Sequence, residues 1–307
     1  MSMNKVYITP RSITREGHPS LEKLKEAGFE LIYGPPGEQP SEEEQLKILP
    51  ECVAYLAGIE PIRENILKAA KNLKIISRNG VGIDNIDLQA AELLGIKVKI
   101  AAASNAQGVA ELAIGLIFSS IRLIPTCNSF MKKGEWHREK GIELEGKTLG
   151  IIGCGNIGKR VIRMALGIGM KVIGYDLYPD ESFNPDKDFK YTKLNEIYEK
   201  ADIITLHSPP GKTPIINANS IAKMQTGVII INTARAPLID ENAILEALNQ
   251  RKVGVYATDV YPREPPELNE LISHKYTICT PHIGGYTSES VDRAAEAAVD
   301  NIIKELG

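Results

Sequence analysis

Short β-branched, apolar runs alternate with amphipathic helical segments along almost the whole chain, and no other feature limits its fold so strongly. VYIT (6–9) is followed by PSLEKLKEAG (19–28), ELIY (30–33) and SEEEQLKIL (41–49). Ser41 stands as an N-cap to the last of these, with acids in the first turn, as the helix dipole favours. VAYLAG (53–58), IRENILKAAK (62–71), LKIISR (73–78), IDLQAAELLG (86–95) and IKVKI (96–100) continue the pattern. Strands separated by helices of this length are βαβ units, which build a parallel sheet.

The pattern pauses at Ala101–Asn105. A longer helix is predicted from Ala106 to about Lys133, with Val109, Leu112, Ala113, Leu116, Ile117, Ser120 and Ile121 on one face and Pro125 ending or bending it. Beyond the loop GEWHREKGIELEGK the alternation restarts in KTLGIIG (147–153), KVIGYD (171–176), DIITLH (202–207), GVIIINTA (227–234), VGVYATDV (253–260) and YTIC (276–279). Several of these strands are apolar almost throughout, as in sheets covered on both faces. An amphipathic helix, SESVDRAAEAAVDNIIKEL (288–306), follows with no strand after it, which suggests that it packs back on the first sheet. The chain of 307 residues therefore reads as two α/β domains.

Composition narrows the function. A net charge of −3 argues against a nucleic-acid partner, which needs a basic face. No run reaches the ~20 apolar residues of a bilayer span, and the N-terminus has no basic-then-apolar leader, so a cytoplasmic protein without a membrane partner is expected. Cys52, Cys127, Cys154 and Cys279 are widely spaced, which supports neither a disulfide framework nor a metal site.

Gly153-Cys154-Gly155-Asn156-Ile157-Gly158 joins a strand to a helix. In such a loop the first glycine permits the tight turn. The second lets backbone approach a diphosphate, and the third lets helix pack on strand. The diphosphate meets the unpaired N–H groups of a helix N-terminus. A second strand ends at Asp176, where a carboxylate accepts hydrogen bonds from ribose hydroxyls and repels a 2′-phosphate, so NAD is favoured over NADP. Leu177 and Tyr178 add no basic group that would reverse the choice.

Hydride transfer to a ketone needs a proton donor at the developing alkoxide and, for a keto acid, a cation for the carboxylate. His18 and His137 fall in loops, His274 falls in a polar turn and His207 ends a strand. His282, in Pro281-His282-Ile283-Gly284-Gly285, follows a strand at the carboxyl edge where ligands of open sheets gather. Position alone fits a catalytic or a structural role equally. Arg235, after the strand IIINTA, has the planar fork that grips a carboxylate, although a surface arginine fits there too. Glu264 follows Asp259-Val260 in a proline-fixed loop; beside an imidazole it would orient the ring, and alone it is an ordinary loop acid.

Asn232–Arg235, Asp259–Pro265 and Pro281–Gly285 occur in order after the glycine loop and Asp176, and together they resemble the D-isomer-specific 2-hydroxyacid dehydrogenase family. The resemblance extends through SRNGVGIDNID (77–87), NAQGVAELAIGL (105–116) and MKKGEWHREKGIELEGKTLGIIG (131–153), and so over essentially the whole chain. It implies two Rossmann-like or flavodoxin-like domains with parallel sheets: a discontinuous substrate domain, 1–100 with 287–307, and an NAD domain, 101–286, with the active site in the interdomain cleft. By the same resemblance His282 is the acid/base, Glu264 its partner, and Arg235 the carboxylate-binding and carbonyl-polarising group. Arg78, Asn79, Gly80, Val81 and Gly82 belong to the substrate site. NAD contacts fall at Val81, Gly153, Gly155, Asn156, Ile157, Gly158, Asp176, Ser208, Thr233, Ala234, Asp259, Gly284 and Gly285. No metal is implied, and a homodimer through the NAD domain is, with the 106–133 helix and the Trp136 loop as its contact. Trp136 is equally readable as a core residue.

The stretch GEWHREKGIELEGKTLGIIG and Arg78 are most similar to phosphoglycerate dehydrogenase-like members. Two positions depart from the pattern. Leu56-Ala57-Gly58 stands where an Arg-Ser pair usually helps hold a phosphate, and Ala236 replaces a glycine. With the chain ending at Gly307, feedback by serine through a further regulatory domain is not expected. Three readings follow: a phosphoglycerate dehydrogenase-like enzyme, a reductase of an unphosphorylated keto acid such as hydroxypyruvate or glyoxylate, and, more remotely, an NAD(H)-sensing binding protein on the same fold.

Overall fold

The computed structural model describes residues 4–307, which divide into two compact units. One runs up to Asn105 and takes in Thr287–Gly307; the other is Ala106–Tyr286. The first contains β1 (Asn4–Ile8), α1 (Arg11–Glu16), α2 (Leu21–Glu26), β2 (Phe29–Tyr33), α3 (Glu42–Ile48), β3 (Cys52–Ala57), α4 (Glu64–Ala69), β4 (Ile75–Arg78), α5 (Leu88–Leu93) and β5 (Lys97–Ile100). All five strands are parallel, in the order β2-β1-β3-β4-β5. Ser41 accepts from the Glu44 amide while the Glu44 carboxylate accepts from the Ser41 amide, the reciprocal capping expected from serine followed by acids.

The second unit contains α6 (Ala106–Arg122), α7 (Ile124–Lys132), β6 (Thr148–Ile152), α8 (Asn156–Gly167), β7 (Lys171–Tyr175), β8 (Phe189–Tyr191), α9 (Leu194–Lys200), β9 (Ile203–Leu206), α10 (Ala218–Lys223), β10 (Val228–Asn232), α11 (Glu241–Asn249), β11 (Val253–Thr258), α12 (Glu270–Ser273) and β12 (Thr277–Cys279). Its seven parallel strands run β12-β11-β10-β9-β6-β7-β8. The order reverses at β6, so a ligand crevice is expected outside the carboxyl ends of β6 and β9. β8 escapes a reading of the sequence because Phe-Lys-Tyr is too short to show a period.

The apolar strands are explained by burial on both faces. In β10, Ile229 and Ile231 join one core cluster with Leu149, Ile151 and Val255, while Val228 and Ile230 join another with Ile152, Ile204 and Val253. The predicted 106–133 helix is two helices bent by 65°. The break falls at Leu123, which takes a left-handed φ of 48°, and Pro125 lies in the first turn of α7, where its missing N–H is harmless. No single helix among the described residues is long and apolar enough to cross a membrane.

The last helix, α13 (Ser288–Leu306), packs on the five-stranded sheet. Ala295, Ala298, Val299 and Ile302 share a core with Val6, Ile8, Ala54, Leu56 and Ile75. Polar contacts fix its register: Ser77 Oγ donates to the Ala298 carbonyl at 2.8 Å, and Asn301 Nδ2 donates to the Ile100 carbonyl at 3.1 Å. Ile302 is fully buried. Ile302→Ala should therefore lower unfolding free energy by about 2–4 kcal/mol in urea titration, whereas a change under 1 kcal/mol would mean α13 is not part of that core.

Candidate active site

The glycine loop sits at the reversal point of the seven-stranded sheet. Gly153 has φ 98°, and a Cβ there would lie 2.5 Å from the His207 carbonyl carbon and the Ser208 nitrogen, so only glycine lets the loop rest on the end of β9. A Cβ at Gly158 would meet the Gly153 carbonyl oxygen at 2.1 Å, which is the close helix–strand approach the third glycine serves. Around Gly155 there is open space. α8 begins there without a side-chain cap and without an acid in its first turn, so its N-terminal amides and positive dipole end are available to an anion. The residues present fit a dinucleotide diphosphate.

Asp176 has two duties. Its Oδ2 accepts from the Cys154 amide at 2.7 Å and its Oδ1 accepts from the Tyr178 amide at 2.9 Å, which ties the glycine loop to the end of β7. Each oxygen keeps lone-pair capacity for ribose hydroxyls. Lys159, the basic residue nearest along the loop, pairs with Asp180, whose carboxyl this contact and Ser182 lower to about 2. The cation is thereby engaged, and Leu177 and Tyr178 are exposed. Cys154 is buried with its thiol pushed up to about 12, so it is an inert small side chain beside Gly174.

Three strand-end segments carry the candidate chemistry. After β10, Asn232 is fully buried; its Oδ1 accepts from the Ala234 amide and its Nδ2 donates to the Arg235 carbonyl at 2.9 Å. This folds the turn that carries half-buried Arg235, whose Nη1 also donates to the Ala234 carbonyl. After β11, Glu264 accepts from the Tyr261 amide at 3.2 Å through Oε1. Its Oε2 lies 2.6 Å from Nδ1 of His282, which follows β12. His282 has φ 52°, a left-handed conformation that a non-glycine residue rarely adopts. Side-chain exposures of 49% for His282 and 38% for Glu264 leave the pair open to a substrate.

Asp259 lies differently from a simple cofactor contact. It is 1% exposed, and its carboxylate accepts from Thr280 Oγ1 at 2.6 Å, the Ile283 amide at 2.8 Å and the Gly284 amide at 2.8 Å. Tyr261 adds an O–H bond to the Thr280 carbonyl at 2.8 Å. The positioning roles of Asn232, Thr280 and Tyr261 are absent from a linear reading; an Asn two residues before a turn amide is the only local signal.

The remaining predicted residues fall as follows. Thr233 is buried with an unpartnered hydroxyl, Ala234 and Ser208 are partly exposed, and Gly285 follows the Asp259-bound turn. In the other unit, Arg78 ends β4, is 8% exposed and donates to the Asn79 carbonyl. The Asn79 amide donates to the Ala57 carbonyl at 2.9 Å and the Gly80 amide to the Arg78 carbonyl at 2.8 Å. The amides of Val81 and Gly82 make no such bond among the described residues, which leaves two donors for an anion. Trp136 is 80% exposed, so the core reading of that residue is wrong.

This fold and loop define a dinucleotide-binding oxidoreductase. Residues 114–284 match the family model for the D-isomer specific 2-hydroxyacid dehydrogenase NAD-binding domain. The chain is 42% identical over 278 residues to a hydroxypyruvate reductase of Thermotoga maritima, covering 88% of this chain and 90% of that one. It is 42% identical over 250 residues to a D-3-phosphoglycerate dehydrogenase of Methanocaldococcus jannaschii, where 80% of this chain matches 48% of the relative, about half its length. NAD+-bound 3-phosphoglycerate dehydrogenase of Entamoeba histolytica superposes with a TM-score of 0.80 at 32% identity, covering 98% of this chain and 94% of that one. The chain belongs to the D-isomer-specific 2-hydroxyacid dehydrogenase family. It is an NAD-dependent oxidoreductase.

His207 contributes a pH dependence of its own. Burial drives its imidazole down to about 3, with Nε2 beside Thr205 Oγ1 at 3.0 Å and Nδ1 unpartnered. The ring is neutral in the folded state, while an unfolded histidine titrates at ~6.5. Between those values the unfolded chain binds the extra proton, so stability falls as pH drops from ~6.5 toward 3. His207→Gln should flatten the pH dependence of the thermal midpoint from pH 6.5 to 4.5. An unchanged slope would assign that loss to other groups.

Proposed function

We propose that the chain interconverts a D-2-hydroxy acid and its 2-keto acid in the manner of D-3-phosphoglycerate dehydrogenase. The observation that carries this reading is the His282–Glu264 pair at 2.6 Å, set at a strand end of the unit that holds the glycine loop. NAD, when bound, takes up or supplies the hydride at its nicotinamide ring. The protein's own groups manage everything else. Glu264 fixes the ring by accepting from Nδ1, which leaves Nε2 to pass a proton to the C2 oxygen in reduction and to take it back in oxidation. Arg235 holds the carboxylate and draws electron density from the carbonyl, favouring charge that grows only in the transition state. In the other unit, the Val81 and Gly82 amides are two donors that suit a carboxylate.

Both kinds of named relative act on three-carbon skeletons, so the tail distinguishes them. Reduction of an unphosphorylated keto acid such as hydroxypyruvate or glyoxylate is the second reading, favoured by the uncharged Ala57-Gly58 at the end of β3.

His282→Ala should lower kcat by ~10²-fold or more with NADH affinity nearly unchanged, because the lost step is proton transfer. Arg235→Lys should raise KM for the keto acid severalfold. Steady-state kinetics beside NADH fluorescence titration checks both, and parental behaviour in both variants would sink the assignment.

We also propose a homodimer through the NAD-binding unit. α7 has no buried residue, and Phe118, Ile124, Met131 and Trp136 are exposed around it, an apolar patch that a monomer rarely carries. Sedimentation should give a dimer for the parent and a monomer for Met131→Glu with Trp136→Glu; a monomeric parent would refute the proposal.

A further inference from the structure

The five-stranded sheet has its own reversal point, between β1 and β3, where ligands of such sheets gather outside the carboxyl ends. Here the crevice holds a carboxylate. Glu60, just beyond β3, is fully buried. Its Oε1 accepts from Thr9 Oγ1, from the Tyr55 hydroxyl at 2.7 Å and from the Gly58 amide at 2.9 Å. Its Oε2 is buried without a partner, and so is the nearby Tyr7 hydroxyl. A Cβ on Gly58 would meet Oε2 at 2.6 Å and Pro10 Cα at 3.3 Å, which places that oxygen in the gap between the ends of β1 and β3. Three donors thus converge on one oxygen, the bonding pattern of a carboxylate.

The neighbouring strand end bears the opposite charge. Arg78 closes β4 in register with Ala57 of β3, and the Asn79–Gly82 turn with its two unpaired amides follows it. Asn85 Nδ2 donates to the Glu60 carbonyl at 2.7 Å and so joins the two loops. On the far side of that turn, the Ala101 amide after β5 already donates to the Gly80 carbonyl at 2.9 Å. The β5 side of the turn is thus occupied, and a substrate tail directed to its other side approaches the end of β3, one strand spacing of about 4.8 Å away. There it meets the field of Glu60. Burial leaves that field poorly screened, while the exposed Arg11 after β1 is screened by water and the Arg78 guanidinium is folded against its own turn, donating to the Asn79 carbonyl.

We propose that Glu60 is a specificity-determining residue whose carboxylate makes the site reject 2-keto acids with an anionic tail and accept those with a neutral, hydroxyl-bearing one. This rests on the reading that the Asn79–Gly82 turn holds the substrate carboxylate. Of the two substrate readings above it selects the second, an unphosphorylated keto acid, and leaves the proposed chemistry at C2 unchanged.

The test compares hydroxypyruvate with 3-phosphohydroxypyruvate, and 2-oxobutanoate with oxaloacetate, using NADH. The unaltered protein should favour hydroxypyruvate by about 100-fold and 2-oxobutanoate by about tenfold in kcat/KM, since each unit charge on the tail at ~7 Å is worth more than tenfold at intermediate dielectric. That comparison needs no variant to fold. In Glu60→Gln, kcat should fall severalfold as Thr9 and Tyr55 lose a charged acceptor. KM for 3-phosphohydroxypyruvate should fall about tenfold, narrowing the preference. A purely structural role would change both members of a pair alike, and a ratio within twofold of the parent overturns the proposal. So does a parent that prefers the phosphorylated acid. A parent that turns over none of the four acids overturns the functional reading instead.

Discussion

The Asp259 carboxylate is the constraint on which the candidate site depends. Its two oxygens receive the Thr280 hydroxyl and the Ile283 and Gly284 amides, and these bonds close the turn after β12 around His282. A left-handed backbone at a non-glycine residue costs about 1–2 kcal/mol, and charge-assisted bonds to a buried carboxylate are strong enough to offset it. The conformation keeps Nδ1 of His282 against Glu264, which is itself held by the Tyr261 amide. The Asp259 amide in turn donates to the Asn232 carbonyl at 3.0 Å, and Asn232 folds the turn that carries Arg235. One buried acid thus ties together three strand ends that are far apart in sequence.

What was legible in the sequence follows from which interactions are local. The strand–helix alternation reports burial on both faces of each sheet, and burial writes itself into composition residue by residue. The glycine loop was readable because each glycine answers a backbone need within six residues: the Gly153 turn, the open space at Gly155 and the contact of Gly158 with the Gly153 carbonyl. Capping by Ser41 is likewise a four-residue event. Asp259 was not readable in this way. A carboxylate after a strand looks the same whether it faces a ligand or a loop 21 to 25 residues ahead, and only the fold turns it inward. The break at Leu123 is hidden for a related reason, since Pro125 has the composition of a breaker while it serves in the first turn of the next helix.

Glu60 is the sharper case. In the linear chain it lies in Gly-Ile-Glu-Pro, a loop composition that suggests a solvated acid, and its donors Thr9 and Tyr55 come from two different strands. Parallel sheet order alone brings β1 beside β3 and buries that carboxylate. The two units therefore apply one topological rule with opposite electrostatics. At the reversal point of the seven-stranded sheet, α8 presents uncapped amides and glycine leaves room, so an anion gains hydrogen bonds without displacing anything. At the reversal point of the five-stranded sheet the room is filled by an acid with one oxygen unsatisfied. A second negative charge brought there would face repulsion in a medium that screens poorly. A neutral hydroxyl brought near it meets no such repulsion. The same strand-end geometry that makes one crevice a diphosphate site thus makes the other selective against phosphate, and the difference lies in a single buried side chain.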